Sequence, residues 1–204
     1  MKGKIMKRLW IFAALLPLLF TGCLTIDTIK TRIQIQDENK PAILTVEYFG
    51  ISSEITKPKG QDVKPDDLKE DFDELISQWK GDEYLVQQAK DGILVRDRKV
   101  WEEQYQINSS ETGLIDDLDK VYDFWEENGE RILLVDFDEE DYEVVDTNGK
   151  ILKTDHNRLI CWPRSEKNLY WTMKRISDSE SIEKNRPVLA KMLRDYLKEE
   201  QKKK

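Results

Sequence analysis

Histidine and cysteine are nearly absent from this chain: its 204 residues contain one His and two Cys. A zinc site needs several such ligands at short spacing, and His156 and Cys161 stand without a second pair. A serine or cysteine nucleophile would have to take His156 as its base. That residue sits in the polar stretch Thr154-Asp155-His156-Asn157, where an exposed loop histidine is the simpler reading. The nine glycines are scattered, mostly at turns, so no glycine-rich phosphate loop is present. Long hydrophobic runs are missing too. The longest, Leu9 to Phe20, has twelve residues and is interrupted by Pro17, whereas a membrane-spanning helix needs roughly 20. Basic charge is in deficit, with 33 Lys and Arg against 41 Asp and Glu. An acidic surface repels phosphate backbones, which argues against a nucleic-acid partner.

What the chain does have is a patterned N-terminus. Lys2, Lys4, Lys7 and Arg8 precede the apolar run, and Leu19-Phe20-Thr21-Gly22-Cys23 closes it. The order is a charged n-region, a short apolar h-region and small residues at a cleavage site. With cysteine at +1, residues 1–23 resemble the lipobox signal of bacterial lipoproteins, although Phe20 stands at −3 where Leu is usual. The resemblance implies cleavage between Gly22 and Cys23 by signal peptidase II and a diacylglyceryl thioether on Cys23. Two or more acyl chains suffice for stable anchoring, at about 0.8 kcal/mol per buried CH₂. Leu24 rather than Asp at +2 resembles the outer-membrane class, with the domain facing the periplasm. The implied layout is a cleaved leader at 1–22, a lipidated tether at 23–28, one globular domain at 29–200 and a basic tail at 201–204.

Loss of the leader removes four basic residues and moves the net charge from −8 to −12. The remaining chain is of ordinary domain length and can bury a real core without staples. Cys161 is then the only unmodified thiol, so an intramolecular disulfide is excluded. In the strand-like Arg158-Leu159-Ile160-Cys161-Trp162 it reads as a small buried hydrophobe.

Periodicity predicts an α+β fold. Alternation at Thr31, Ile33 and Ile35 and the run Ile43–Phe49 predict a hairpin. Leu68, Phe72, Leu75, Ile76 and Trp79 form a helical stripe that Gly81 can end, and Leu114, Leu118, Val121, Tyr122 and Trp125 repeat its spacing before Asn128-Gly129. The stretches Glu83–Gln87 and Ile93–Arg96 flank Asp91-Gly92 and read as a hairpin, the second strand continuing toward Ile107. The strand Ile132–Val135 follows, then a hairpin across Asn148-Gly149 and a last strand pair at Arg158–Trp162 and Leu169–Lys174. A C-terminal helix begins near Pro187 and presents Leu189, Met192, Leu193, Tyr196 and Leu197 on one face, toward the domain or a partner. The sum is one antiparallel sheet of about six to nine strands with two amphipathic helices packed on it and a C-terminal helix. The two helix–strand units are either an internal repeat or two helices obeying one burial rule.

Candidate sites are few. The acidic run from Asp136 to Asp141 lacks the Gly and Glu that a calcium loop requires at positions six and twelve, where Asp141 and Thr147 stand. Trp162, Tyr170 and Trp171 flank one loop and form either a binding platform for a peptide or glycan, or core. No cofactor and no catalytic residue is indicated. The expected function is a membrane-anchored, non-enzymatic binding or assembly factor with an envelope protein as partner, the alternative being a ligand- or glycan-binding lipoprotein. Replacing Cys23 by Ser should block lipidation, and mass spectrometry of the wild type should find a diacylglyceryl group at that position. A Cys23→Ser protein that still fractionates with membranes at mature size would contradict the anchor.

Overall fold

A computed structural model describes residues 24–37, 40–57, 61–135, 142–153, 158–176 and 180–203. Residues 1–23, including Gly22 and Cys23, the acidic run 136–141 and His156 lie outside the described residues. In chain order the strands are β1 (Leu24–Thr25), β2 (Thr28–Gln34), β3 (Ala42–Ser53), β4 (Ile93–Glu103), β5 (Gln106–Ile115), β6 (Phe124–Glu127), β7 (Glu130–Val135), β8 (Tyr142–Thr147), β9 (Lys150–Lys153), β10 (Arg158–Pro163) and β11 (Asn168–Arg175). The helices are α1 (Lys69–Lys80, entered through a 3₁₀ turn at Pro65–Leu68), α2 (Asp82–Lys90), α3 (Leu118–Val121) and α4 (Glu180–Lys202).

The fold is α+β, as the periodicity predicts, but the strands divide between two antiparallel sheets. The larger has seven strands, ordered β4-β5-β3-β2-β11-β8 with β1 beside the end of β3, and the smaller has four, ordered β6-β7-β10-β9. The inner face of the large sheet follows from strand alternation. Ile33 lies opposite Leu44 and Thr31 opposite Val46, and these side chains are buried while Lys30 and Arg32, which alternate with them, are exposed. One hydrophobic core runs through both sheets, from Leu24 on the first strand to Leu193 on the last helix.

Neither Asn-Gly pair takes the role expected of it. Asn128 and Gly129 both have positive φ, at 52° and 80°, and join β6 to β7 as a tight hairpin turn. They do not end a helix. The stretch 114–125 is the end of β5, the four-residue α3 and the start of β6. Its stripe at helical spacing is also met by alternate strand positions on either side of a turn, and pairing with β3, β4 and β7 decides the outcome. With that helix gone, the helix–strand unit does not recur.

Asn148-Gly149 is a crossing between sheets, since β8 pairs with β11 while β9 pairs with β10. The Asn148 side chain holds this junction. Its Oδ1 accepts from Trp162 Nε1 at 2.8 Å and from the Tyr170 amide at 3.0 Å, and its Nδ2 donates to the Asn168 carbonyl at 2.6 Å. Gly149 passes so close to Trp162 that a Cβ would lie 2.7 Å from the indole and 2.5 Å from Ile160 Cγ2. The strand pair at 158–174 is likewise split, β10 bonding to β7 and β9 and β11 to β2 and β8.

Three other differences share one cause, the burial available around the large sheet. Glu83–Gln87 lies within α2, and Asp91 and Gly92 end that helix through bonds to Gln87 and Ala89, with Gly92 at a φ of 94°. Within the stretch 23–28 read as a lipidated tether, the residues from Leu24 pack on the fold: Leu24 and Ile26 are buried, Leu24 pairs with Ser53, and the Ile26 carbonyl accepts from the Tyr142 hydroxyl at 2.7 Å. The last helix starts at Glu180, seven residues before Pro187. It docks on the domain, with Asn185 Nδ2 donating to the carbonyls of Ser53 and Ile55, both at 2.8 Å, and Ser52 Oγ donating to the Ile182 carbonyl. Farther along, Arg194 grips Glu102 through two bonds and covers the ring of Tyr105 in the β4–β5 turn.

Gly149→Ala should cost about 1–3 kcal/mol by overpacking against Trp162. Asn148→Ala should cost about 2–4 kcal/mol by orphaning several polar groups. Gly129→Ala, where nothing lies within 4 Å, should cost only the left-handed backbone penalty of about 1–2 kcal/mol. Urea denaturation of the three variants checks these costs, and Gly149→Ala and Asn148→Ala variants as stable as the wild type would refute the junction.

Candidate functional site

The aromatic platform expected at Trp162, Tyr170 and Trp171 does not form. Trp162 is 1% exposed and Trp171 4%. The two indoles pack on each other at 6.2 Å between centroids, and Tyr122 meets Trp171 edge-on at 5.8 Å. These rings join the two sheets, and only Tyr170 is partly exposed. The physical reason is the division of the strands. Because β10 and β11 belong to different sheets, residues next to their connecting loop face the space between the sheets. Cys161 is buried on β10 as a free thiol, and burial pushes its pKa up, which leaves it unreactive.

The structure instead opens a cleft where α1 and α2 lie over β3, β5 and β4. Its volume is about 60 Å³, and its walls include Ile26, Tyr48, Leu75, Trp79, Tyr84 and Arg98, with Glu111 on the sheet side. The local sequence accounts for this placement. The stripe of α1 brings both Leu75, buried in the core, and Trp79, packed against it, to the wall of the cleft. Gly81 accepts a sharp change of direction between the helices, where its amide bonds to the Ser77 carbonyl and its close approach to that carbonyl leaves no room for a Cβ. The change of direction carries Tyr84 on α2 over the sheet. Its hydroxyl donates to Glu111 Oε2 at 2.6 Å.

Strand register places Arg98 directly opposite Glu111 across the β4–β5 ladder. The guanidinium nevertheless turns to the end of α1. Its Nη1 donates to the carbonyls of Gln78 at 2.5 Å and Gly81 at 3.3 Å, and the group lies over the Tyr84 ring at 5.4 Å. A cation at a helix C-terminus satisfies the open carbonyls and the dipole. Glu111 is therefore left with one hydrogen bond. Its Oε1 is buried and has no hydrogen-bond partner, in a residue only 6% exposed.

Burial raises the pKa of Glu111, against the opposing effects of the Tyr84 hydroxyl and the charge of Arg98. Burial also raises the phenols of Tyr48, Tyr84 and Tyr122, and the Glu111 charge adds to each shift. The three phenols stay protonated at neutral pH, as donors rather than bases. The cleft thus offers a carboxylate with a vacant oxygen, neutral hydroxyls, a guanidinium and aromatic faces. That set suits recognition of a polar group.

Sequence reasoning overlooked Glu111. It stands in Ser109-Ser110-Glu111-Thr112, a polar stretch that reads as solvent-facing. The signal that could have found it is the period of two, since Ile107, Gly113 and Ile115 share its face of the strand and are buried. Among the described residues, no three His, Cys, Asp or Glu side chains gather as a metal site, and no helix is long and apolar enough to cross a membrane. Comparison with known proteins finds no matching family model, no matching curated protein and no matching solved structure.

The raised pKa of Glu111 has a definite sign in stability. Below the usual glutamate range both states hold the proton and there is no penalty. As pH rises through the raised folded value, the fold must ionise a buried group, and stability is lost. Glu111→Gln should therefore be more stable than the wild type above that value, and the gap between them should shrink as the pH falls toward 4. Urea midpoints measured from about pH 4 to 8 check this, and a gap independent of pH would contradict it.

Proposed function

We propose that this protein is a lipid-anchored component of a bacterial envelope that acts by binding rather than by catalysis, with the Glu111 cleft as its binding site. The observation that carries the binding site is the vacant oxygen of Glu111. A buried carboxylate oxygen without a partner costs folding free energy, and an apolar residue of similar size at that position would be cheaper. A chain that keeps the carboxylate gains something other than stability from it, and pairing with a ligand group is the direct use.

The groups around Glu111 favour binding over turnover. Arg98 Nη1 is held by the carbonyls of Gln78 and Gly81, which fixes the guanidinium in place, and Tyr84 donates to Glu111 itself. The tyrosine hydroxyls hold their protons too firmly to serve as bases at neutral pH. The anchor rests on the leader: four basic residues, a twelve-residue apolar run and Gly22-Cys23. The ordered chain from Leu24 onward is compatible with it, because a lipid on Cys23 would hold the domain close to the bilayer. The outer membrane and a periplasmic orientation belong to this proposal through Leu24 at +2.

The test uses a photoreactive benzoyl-phenylalanine in place of Trp79, at the wall of the cleft, in cells that express the full chain. Irradiation should yield an adduct, identified by mass spectrometry, that is lost or reduced about tenfold when Glu111→Gln is added. Adducts of equal yield with and without Glu111 would remove the cleft as the binding site.

A further inference from the structure

The charges of the cleft have both signs and lie at different depths. Glu111 is the deep one, nearly fully buried, with Oε1 unpartnered. Arg98 is half-buried directly across the ladder, and among the described residues its hydrogen bonds all leave from Nη1. Its Nε and Nη2 keep their donors for another acceptor. The rings of Tyr48, Trp79 and Tyr84 line the same cleft. We infer that the cleft binds a small zwitterion, with a primary ammonium group directed to Glu111 and a phosphate or carboxylate of the same molecule beside Arg98. This rests on the reading of the cleft as the binding site.

Electrostatics excludes the simpler ligands. A lone cation pairs with Glu111 but meets the like charge of Arg98. A lone anion pairs with Arg98 but faces Glu111. An apolar ligand fills the volume and leaves Oε1 unpaired in a drier setting, which strengthens the penalty. Only a molecule with both charges pairs both groups. An ammonium group suits the deep end because it is compact, brings three donors and is attracted to aromatic faces. The volume of about 60 Å³ holds about four to six waters, at roughly 10–15 Å³ each on the same measure. That is the size of an aminoethyl group or of glycine.

Two sources of this chemistry lie within reach. One is a free amino acid or phosphoethanolamine. The other is an aminoethyl phosphate headgroup of a lipid. Ile26 lines the cleft and stands three residues after Cys23. At most about 11 Å of extended chain separates the two. A protein anchored through Cys23 would therefore hold the cleft near the headgroup layer.

The experiment titrates the detergent-purified full-length protein with O-phosphoethanolamine, glycine, ethylammonium chloride and ethyl phosphate, read by calorimetry and by tryptophan fluorescence. At least one zwitterion should bind about tenfold or more tightly than either singly charged probe. Glu111→Gln, which preserves volume, should weaken it by about tenfold, and Arg98→Gln should weaken it while leaving ethylammonium binding unchanged or stronger. Vesicles of phosphatidylethanolamine, but not phosphatidylglycerol, that reproduce the fluorescence change assign the headgroup. Free zwitterions that bind while both vesicles are silent assign a soluble ligand. Ethylammonium binding as tightly as the zwitterions, zwitterion binding unaffected by Glu111→Gln in a folded variant, or saturation by none of the four probes would overturn the inference. Glu111-dependent crosslinks that persist after any of these results remove only the ligand class. Their absence as well removes the binding site itself.

Discussion

One amide side chain joins the two sheets. Asn148 receives hydrogen bonds from Trp162 on β10 and from the backbone of Tyr170 on β11, strands that belong to different sheets. Of the places where the chain crosses between sheets, this one and the one between Pro163 and Asn168 meet at the same residue. A buried indole N–H needs an acceptor, and Asn148 supplies it only if Gly149 lets the backbone pass beside the ring. The packing of Trp162 on Trp171 and of Trp171 on Tyr122 follows from that approach. The core between the sheets is therefore organised by a polar contact as much as by apolar area.

The other end of the large sheet is organised by helices. Asn185 and Ser52 fasten the start of α4 to the end of β3, while Arg194 fastens its later turns to Glu102. The paired α1 and α2 cover the β4–β5 side, and the cleft opens under them. Arg98 links the two requirements. Register sets it opposite Glu111, yet the open carbonyls at the end of α1 draw its guanidinium away. A structural need, capping a helix, thereby leaves a buried carboxylate only half satisfied. The same arrangement that closes the fold creates the vacancy to which a ligand is assigned.

Legibility differed from element to element for physical reasons. The β2–β3 hairpin and the helix at Leu68–Trp79 were legible because each has a single face against the core, and a single face writes its period into the residues. The segment 114–125 was misread because Leu114, Val121 and Trp125 suit two periods over so short a span. Tyr84 and Val86 have strand-like side chains, but α2 is stabilised by covering β4. The turn at Gln104-Tyr105 carries positive φ at both residues without Gly or Asn, so no turn signature marked it. The candidate site was illegible for a related reason, since a glutamate between serine and threonine looks solvated until the neighbouring strands and α2 enclose it.

By itself the sequence determined the α+β class, the positions of most strands and the first and last helices, and it carries the residue pattern on which the proposed anchor rests. These rest on local facts: side-chain period, turn residues, and charge and apolarity along one stretch of chain. Tertiary structure alone decided which strands share a sheet, which Asn-Gly pair turns a hairpin, and that Trp162 and Trp171 face inward while Glu111 lines a cleft. Those outcomes depend on contacts between residues far apart in the chain, as between Asn148 and Trp162 or Tyr84 and Glu111. Their energies exist only once the partners meet, so no local pattern can carry them.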